Sequence, residues 1–279
     1  MSKSKQGGGC LSAIGAATLA LVSLPLGFYL LVYMLARRSG QLPGWIQQRI
    51  DAYYYPTYLS PEHVARVPSL VASLGSEARI LNIGGGMQAY APNVVNIDVI
   101  PTHTTTVITD AHVLPFKDGS FDAVVAIAVY EHLAQPWLVT AEVERLLKPG
   151  GTFYMEVPFL QPYHADPGDY YRYTISGLRS MFRNFEEQEV GVCNGPGSML
   201  TWILTEVTAT AADIDGTFDS ARLHIAPTRY MKAKELGRLL FSPLKYLDKV
   251  MLNKEHSFVV ASGVFYHGVK PRSSITSLP

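Results

Sequence analysis

RILNIGGGMQAYAPNVVNIDVIPTHTTTVITDA, residues 79–111, decides the fold. Ile80, Leu81 and Ile83 form a short apolar run that breaks at Gly84-Gly85-Gly86. A second run, Val94 to Ile97, closes on Asp98, and a third, Thr105 to Thr109, closes on Asp110. Brief β-branched runs ended by turn residues are the pattern of buried parallel strands. Ligands of such sheets bind beyond the carboxyl ends of the strands, so the glycine turn, Asp98 and Asp110 are expected to line one crevice. Between Gly86 and the second strand stands only Met87 to Asn93, with Pro92 in it. A full crossover needs at least ~10–12 residues, so a loop or a single turn is expected there.

Each residue type in that crevice has a physical use. Glycine accepts φ > 0 and lets a ligand approach without meeting a Cβ. A carboxylate ending the second strand, Asp98, can accept both hydroxyl hydrogens of a ribose. A second, Asp110, can accept from an exocyclic amine such as that of adenine. The same features also serve a plain tight turn and loop caps, and a glycine triplet alone does not choose between the two.

The 279 residues suit one sizeable domain with an appendage. Lysine plus arginine equals aspartate plus glutamate, 23 each, so no overall basic field points to nucleic acid. The two cysteines, Cys10 and Cys193, make no disulfide framework and fit a reducing compartment.

Residues 1–10 are polar, and residues 11–36 carry no charged side chain. That run exceeds the ~20 apolar residues of one bilayer crossing and is too long for a signal-peptide core. One transmembrane helix is expected there, single-pass, or monotopic if Pro25 marks a re-entrant turn. Arg37, Arg38 and Arg49 outnumber Lys3 and Lys5, which favours the C-terminal side as cytoplasmic. Residues 37–61 read as a linker, 62–270 as the main domain and 271–279 as a tail. Glu62 to Leu74 has a helical start that Pro68 is expected to break.

Further along, Phe121 to Val129 reads as a buried strand ending at Tyr130-Glu131-His132. Pro136 opens a helix whose face is Val139, Val143, Leu146 and Leu147, stopped by Lys148-Pro149-Gly150-Gly151. Thr152 to Val157 is the next strand, followed by a proline-rich polar-aromatic loop from Pro158 to Thr174. Thr174 caps a helix carrying Leu178, Met181, Phe182 and Phe185. Glu189 to Cys193 and Ser257 to His267 read as strands. Between them lies a helical insertion, about 198–256, with an apolar helix over Leu200 to Ala212 and a basic stretch at 229–254. That stretch suits either an anionic membrane surface or a solvated helix face.

Leu81-Asn82-Ile83-Gly84-Gly85-Gly86, Asn96-Ile97-Asp98, Asp110-Ala111 with Leu114-Pro115-Phe116, Phe121-Asp122, Glu131-His132 and Leu147-Lys148-Pro149-Gly150-Gly151 together resemble the class I S-adenosylmethionine-dependent methyltransferases, in the branch called methyltransferase type 11. The resemblance runs from about Arg79 to Phe185. It implies an α/β fold, a doubly wound Rossmann-like seven-stranded sheet with a closing antiparallel strand, here preceded by one transmembrane helix. It implies S-adenosylmethionine as cofactor, bound by Asn82, Gly84, Gly85, Gly86, Asp98, Val99, Asp110 and Ala111. Tyr130, Glu131 and His132 then face the sulfonium and the acceptor, with Tyr163, Asp169, Tyr170 and Arg172 as acceptor contacts. Two departures stand out: Asn82 replaces the family's frequent acid, and Gln88 a third glycine.

For a hydroxyl acceptor a base must take its proton, and His164, then His132, with Glu131 beside it, are the candidates. Arg172 can bind an acidic acceptor group or pair with Asp169. The eight histidines show no metal spacing. The expected partners are a small-molecule, glycan or lipid-linked acceptor and the membrane, with the domain facing the cytoplasm. Two rival readings stay open. Gly84, Gly86 and Ala89 satisfy a dinucleotide fingerprint, which needs a helix opening at the turn. A membrane-tethered cofactor binder or scaffold without catalysis is the other.

Overall fold

The computed structural model of the chain describes residues 48, 51–165, 167–213 and 228–272. The expected transmembrane helix at 11–36 lies outside them. Among the described residues no helix is long and apolar enough to cross a membrane. The chain divides at Tyr54/Tyr55 into two compact units. In the first, residues 51–54 are helical, and the Tyr53 and Tyr54 rings meet edge-on at 5.4 Å.

The second unit is built on seven strands: β1 (Ile80–Ile83), β2 (Val94–Asp98), β3 (Val107–Ile108), β4 (Phe121–Ile127), β5 (Leu147–Pro158), β6 (Glu186–Asn194) and β7 (Gly263–Val269). Their order across the sheet is β3-β2-β1-β4-β5-β7-β6. The first five run parallel, and β7 lies antiparallel between β5 and β6. The carboxyl ends of β1, β2 and β4 therefore share one edge, and the chain reverses direction between β1 and β4.

Residues 87–93 form turns and no helix, as the short spacer requires. The helix that a dinucleotide fingerprint needs at the glycine turn is therefore missing, and that reading falls. The bare sheet face is covered instead by α1 (Pro61–Leu74), from the N-terminal side of β1. Its buried Val67 and Val71 pack with Ile80, Val94, Ala123 and Val125. The Ser60 hydroxyl accepts from the His63 N–H at 3.1 Å and caps the helix. Pro68 sits inside α1 without breaking it, contrary to the sequence expectation. Burial of Val67 and Val71 on the sheet outweighs the one hydrogen bond proline forfeits.

On the other face stand α2 (Pro136–Leu146) and α3 (Ile175–Met181). Val139, Val143 and Leu146 of α2 are fully buried there with Phe153, Leu178 and Phe182. Thr174 caps α3, its hydroxyl accepting from the Gly177 N–H at 3.0 Å. Helix α2 ends at Leu146, and Leu147 already pairs with Phe121, so Lys148 to Gly151 belong to β5 and not to a helix stop.

Several boundaries differ from the sequence reading, among them these. The edge strand β3 is only Val107–Ile108, because Thr102 to Thr106 turn back onto the glycine loop. The late strand starts at Gly263, since Ser257–Val260 is a 3₁₀ turn with Phe258 and Val259 exposed. Apolar content alone does not separate an exposed turn from a buried strand. The apolar helix α4 (Pro196–Ala211) begins four residues earlier than Leu200, with proline in its first turn. The insertion continues as α5 (Thr228–Phe241), a 3₁₀ turn at Ser242–Leu247 and α6 (Asp248–Met251).

Candidate active site

The glycine turn stands at the carboxyl end of β1. Gly84 and Gly86 take φ of +63° and +52°, the left-handed region that glycine enters without a Cβ penalty. A Cβ on Gly84 would lie 2.4 Å from Val129 Cγ2, whereas one on Gly86 would meet nothing within 4 Å. A Cβ on Gly85 would press on Asn96 at 3.1 Å.

Beneath the turn runs an amide ladder. Asn82 Nδ2 donates to Asn96 Oδ1 at 3.0 Å, and Asn96 Nδ2 donates to the Gln88 carbonyl at 3.0 Å. Asn82 is thus buried and engaged under the loop, rather than lining the crevice as the resemblance implied. An acid there would lack the N–H that Asn96 accepts. The Thr102 and Thr104 hydroxyls donate to the Gly86 carbonyl at 2.5 and 2.6 Å. Asn96, Thr102 and Thr104 escaped sequence reasoning, because they shape the loop from another strand and its following turn.

Asp98 ends β2 beside the turn. Its Oδ2 accepts from the Gly86 N–H at 2.9 Å and its Oδ1 from the Ile100 N–H at 3.0 Å. Each oxygen keeps a further lone pair, so two adjacent hydroxyls can still be accepted. Val99, next in the chain, is exposed. Asp110 is exposed too, and its Oδ1 accepts from the His112 N–H at 2.9 Å and stands 2.5 Å from His112 Nδ1. That N–H first, then the ring, holds the Asp110 carboxyl below its ordinary range. Ala111 is buried in the core behind it.

At the carboxyl end of β4, Ala128 takes φ of +53°, uncommon for a residue with a side chain. The following 3₁₀ turn, Tyr130–His132, divides its residues between core and site. Tyr130 is fully buried, its ring tilted against Phe153 and Phe182, so it is a core residue and not an acceptor contact. Glu131 is 1% exposed, and its Oε2 has no hydrogen-bond partner. Its Oε1 lies 3.7 Å from His132 Nε2 and 3.9 Å from His164 Nε2. The two rings meet edge-on at 5.4 Å, and His164 meets the Trp202 ring at 5.6 Å. Trp202 is held in turn by Thr57, whose hydroxyl accepts from the indole N–H at 3.2 Å.

The loop carrying His164 is pinned by an arginine fork. Arg172 donates twice to Asp169, at 2.5 and 2.6 Å, and also to the carbonyls of Gln161, Pro162 and Tyr171. All five of its N–H groups are used. Arg172 and the buried Asp169 side chain therefore clamp the loop, the pairing that the sequence reading gave as the alternative to acceptor binding. Burial alone would raise the Asp169 carboxyl; Arg172 and the His164 N–H outweigh it and hold it below its ordinary range. The facing Glu131 carboxylate, chiefly, raises the His164 ring above its ordinary range. Tyr163 and Tyr170 are exposed on the same loop. An apolar hollow of about 400 Å³ flanks this loop between Pro162 and Ile203, Val207 and Ala211 of α4; it includes none of the glycine turn, Asp98 or Asp110.

Residues 64–155, about a third of the chain, match the methyltransferase domain family. A protein of Mycolicibacterium gilvum, described as an uncharacterized methyltransferase, is 35% identical over 140 residues, which cover 42% of this chain and 55% of that protein. Another of that description, from Mycolicibacterium vanbaalenii, is 31% identical over 116 residues, covering 33% of this chain and 46% of its own. The chain thus spans about half the length of these curated relatives. Among solved structures, phosphoethanolamine N-methyltransferase 2 of Haemonchus contortus, in complex with S-adenosyl-L-methionine, is similar at 17% identity and a TM-score of 0.45, over 79% of this chain and 56% of that one.

Proposed function

We propose that the protein is an S-adenosylmethionine-dependent methyltransferase, tethered to the membrane through residues 11–36 and acting at its cytoplasmic face on a small-molecule, glycan or lipid-linked acceptor. The observation that carries the reading is the open glycine turn hydrogen-bonded to Asp98 with no helix behind it. A cofactor without phosphate needs no helix N-terminus. Gly86 leaves room against the backbone, and Asp98 keeps lone pairs for two ribose hydroxyls. When bound, the cofactor supplies an electrophilic methyl group on a sulfonium.

The chain's own residues do the rest. Gly84 to Gly86, Asp98, Val99 and Asp110 hold the cofactor. Glu131, His132 and His164 form the polar centre that takes charge of an acceptor proton, and the Arg172–Asp169 clamp positions His164 within it. Exposed Tyr163 and Tyr170 offer rings to the acceptor body.

The test is calorimetric binding of S-adenosylmethionine to the full chain in detergent, beside Asp98→Ala. Binding that the variant loses supports the reading and opens an acceptor screen on membrane extracts. A folded chain that binds no S-adenosylmethionine leaves the scaffold reading in its place.

A further inference from the structure

Three ligand atoms converge where the sequence showed no metal spacing. Glu131 Oε1, His132 Nε2 and His164 Nε2 lie within 4.8 Å of one another. His132 Nδ1 stands 2.5 Å from the Gly168 carbonyl, and His164 Nδ1 stands 2.8 Å from the Pro162 carbonyl. A carbonyl has no hydrogen to give, so a hydrogen bond at either site needs it on Nδ1, with Arg172 Nη2 standing further off, 3.4 Å from His164 Nδ1. With Nδ1 protonated, each ring turns Nε2 toward a carboxylate, where either a second proton or a metal ion can supply the positive charge. Two lone pairs facing an anion repel unless positive charge lies between them.

Among the described residues no donor supplies it. At 3.7 and 3.9 Å, the contacts to Oε1 are too long for hydrogen bonds. Oε2 of this nearly inaccessible carboxylate has no partner. A buried carboxylate left so poorly satisfied is strongly unfavourable. Arg172, the nearest guanidinium, spends its N–H groups on Asp169 and on backbone carbonyls, including that of Pro162. Histidines whose far nitrogen is tied to a backbone carbonyl, with the near nitrogen bare, are the arrangement found around bound transition metals.

We propose that Glu131, His132 and His164 bind one divalent first-row transition ion of the zinc class. Three nitrogen and oxygen ligands at about 2.0–2.2 Å suit such an ion and leave at least one position open. Closing the present spacing to ligand distance needs movements of a few tenths of an ångström in each ring. The open position would take an oxygen of the incoming acceptor, which draws the acceptor class toward hydroxyl- or carboxylate-bearing molecules; with both Nε2 atoms on the ion, the acceptor proton falls to the free Oε2 of Glu131. That last consequence rests on the methyltransferase reading; the metal site does not.

The test uses the full, untagged chain, stripped with chelator and titrated with Co²⁺, whose d–d absorption reports its ligands. One Co²⁺ per chain is expected, displaced by Zn²⁺. His132→Ala and His164→Ala should weaken binding at least ~10-fold, whereas His256→Ala, at an exposed residue outside the ligand cluster, should not. Should either site variant fail to fold, nitrogen NMR of labelled histidine in the native chain decides: two Nε2 resonances must shift when Zn²⁺ is added. A folded, stripped chain that takes up no Co²⁺ overturns the proposal, as does a Co²⁺ band unchanged in both variants. Two imidazolium rings with no metal uptake would show that protons fill the centre instead. Co²⁺ binding that persists in Asp98→Ala while S-adenosylmethionine binding is lost separates the two readings; Co²⁺ binding by a native chain that binds no S-adenosylmethionine would sink the methyltransferase reading alone.

Discussion

Replacing Gly84 by alanine tests how tightly the glycine turn is set against the end of β4. Two costs add. A left-handed φ of +63° costs a residue with a Cβ about 1–2 kcal/mol. The new Cβ would also lie 2.4 Å from Val129 Cγ2, more than an ångström inside the usual ~3.5–4.0 Å carbon contact. Overpacking of that kind costs about 1–3 kcal/mol. Gly86 is the internal control: φ is +52°, but its Cβ would meet nothing within 4 Å, so Gly86→Ala carries only the first cost. Urea unfolding should place Gly84→Ala below Gly86→Ala by about 1–3 kcal/mol. Adding Val129→Ala to Gly84→Ala should return most of that difference, giving a coupling of about 1–3 kcal/mol in a double-mutant cycle. Equal costs for the two glycines would refute the reasoning, as would a double variant additive within about 0.5 kcal/mol. Val129 also precedes the Tyr130–His132 turn, so Gly84→Ala should lower turnover even where the protein stays folded.

Three other outcomes are expected. Asp248 is 2% exposed and accepts from the Gly197 N–H, the Ser198 N–H and the Ser198 hydroxyl at 2.7, 3.0 and 2.6 Å, capping α4 from a distant part of the chain. Asp248→Ala should cost about 3 kcal/mol in urea unfolding, and Asp248→Asn distinctly less. Burial pushes the Lys245 ammonium down to about 8, and its Nζ donates to the Tyr55 carbonyl at 2.7 Å. The unfolded chain then binds more protons between about pH 8 and 10.5, so wild-type stability should rise through that window relative to Lys245→Met, by at most about 3 kcal/mol at 1.36 kcal/mol per pH unit. A flat difference across that window removes the assignment. Arg172→Lys replaces five donors by three and should slow turnover while leaving S-adenosylmethionine affinity unchanged. A matching fall in cofactor affinity would place Arg172 outside the clamp role.

The basic stretch at 229–254 shows how far composition reaches. Its charge suggested a lipid face or a solvated one, yet Lys245 is buried and Lys234 pairs with Glu206 at 2.6 Å. Sequence alone lists cations; only packing says which of them remain available.

What the chain declares locally it declares well. The alternation of short β-branched runs and turn residues determined the parallel strands, the positive φ at Gly84 and Gly86, the place of Asp98 and the missing helix after β1, because each depends on neighbours within a few residues. Strand ends, the persistence of α1 through Pro68 and the burial of Tyr130 and Lys245 were decided by tertiary packing, which outweighs local propensity by several kcal/mol. The meeting of His132 with His164 around Glu131 was likewise out of reach of spacing. It is produced by the fold-back of the 158–174 loop, through the Tyr170 N–H donating to the Glu131 carbonyl at 2.7 Å and the Arg172 fork on Asp169. Contacts between residues far apart in the chain exist only after the sheet has brought their loops to one edge.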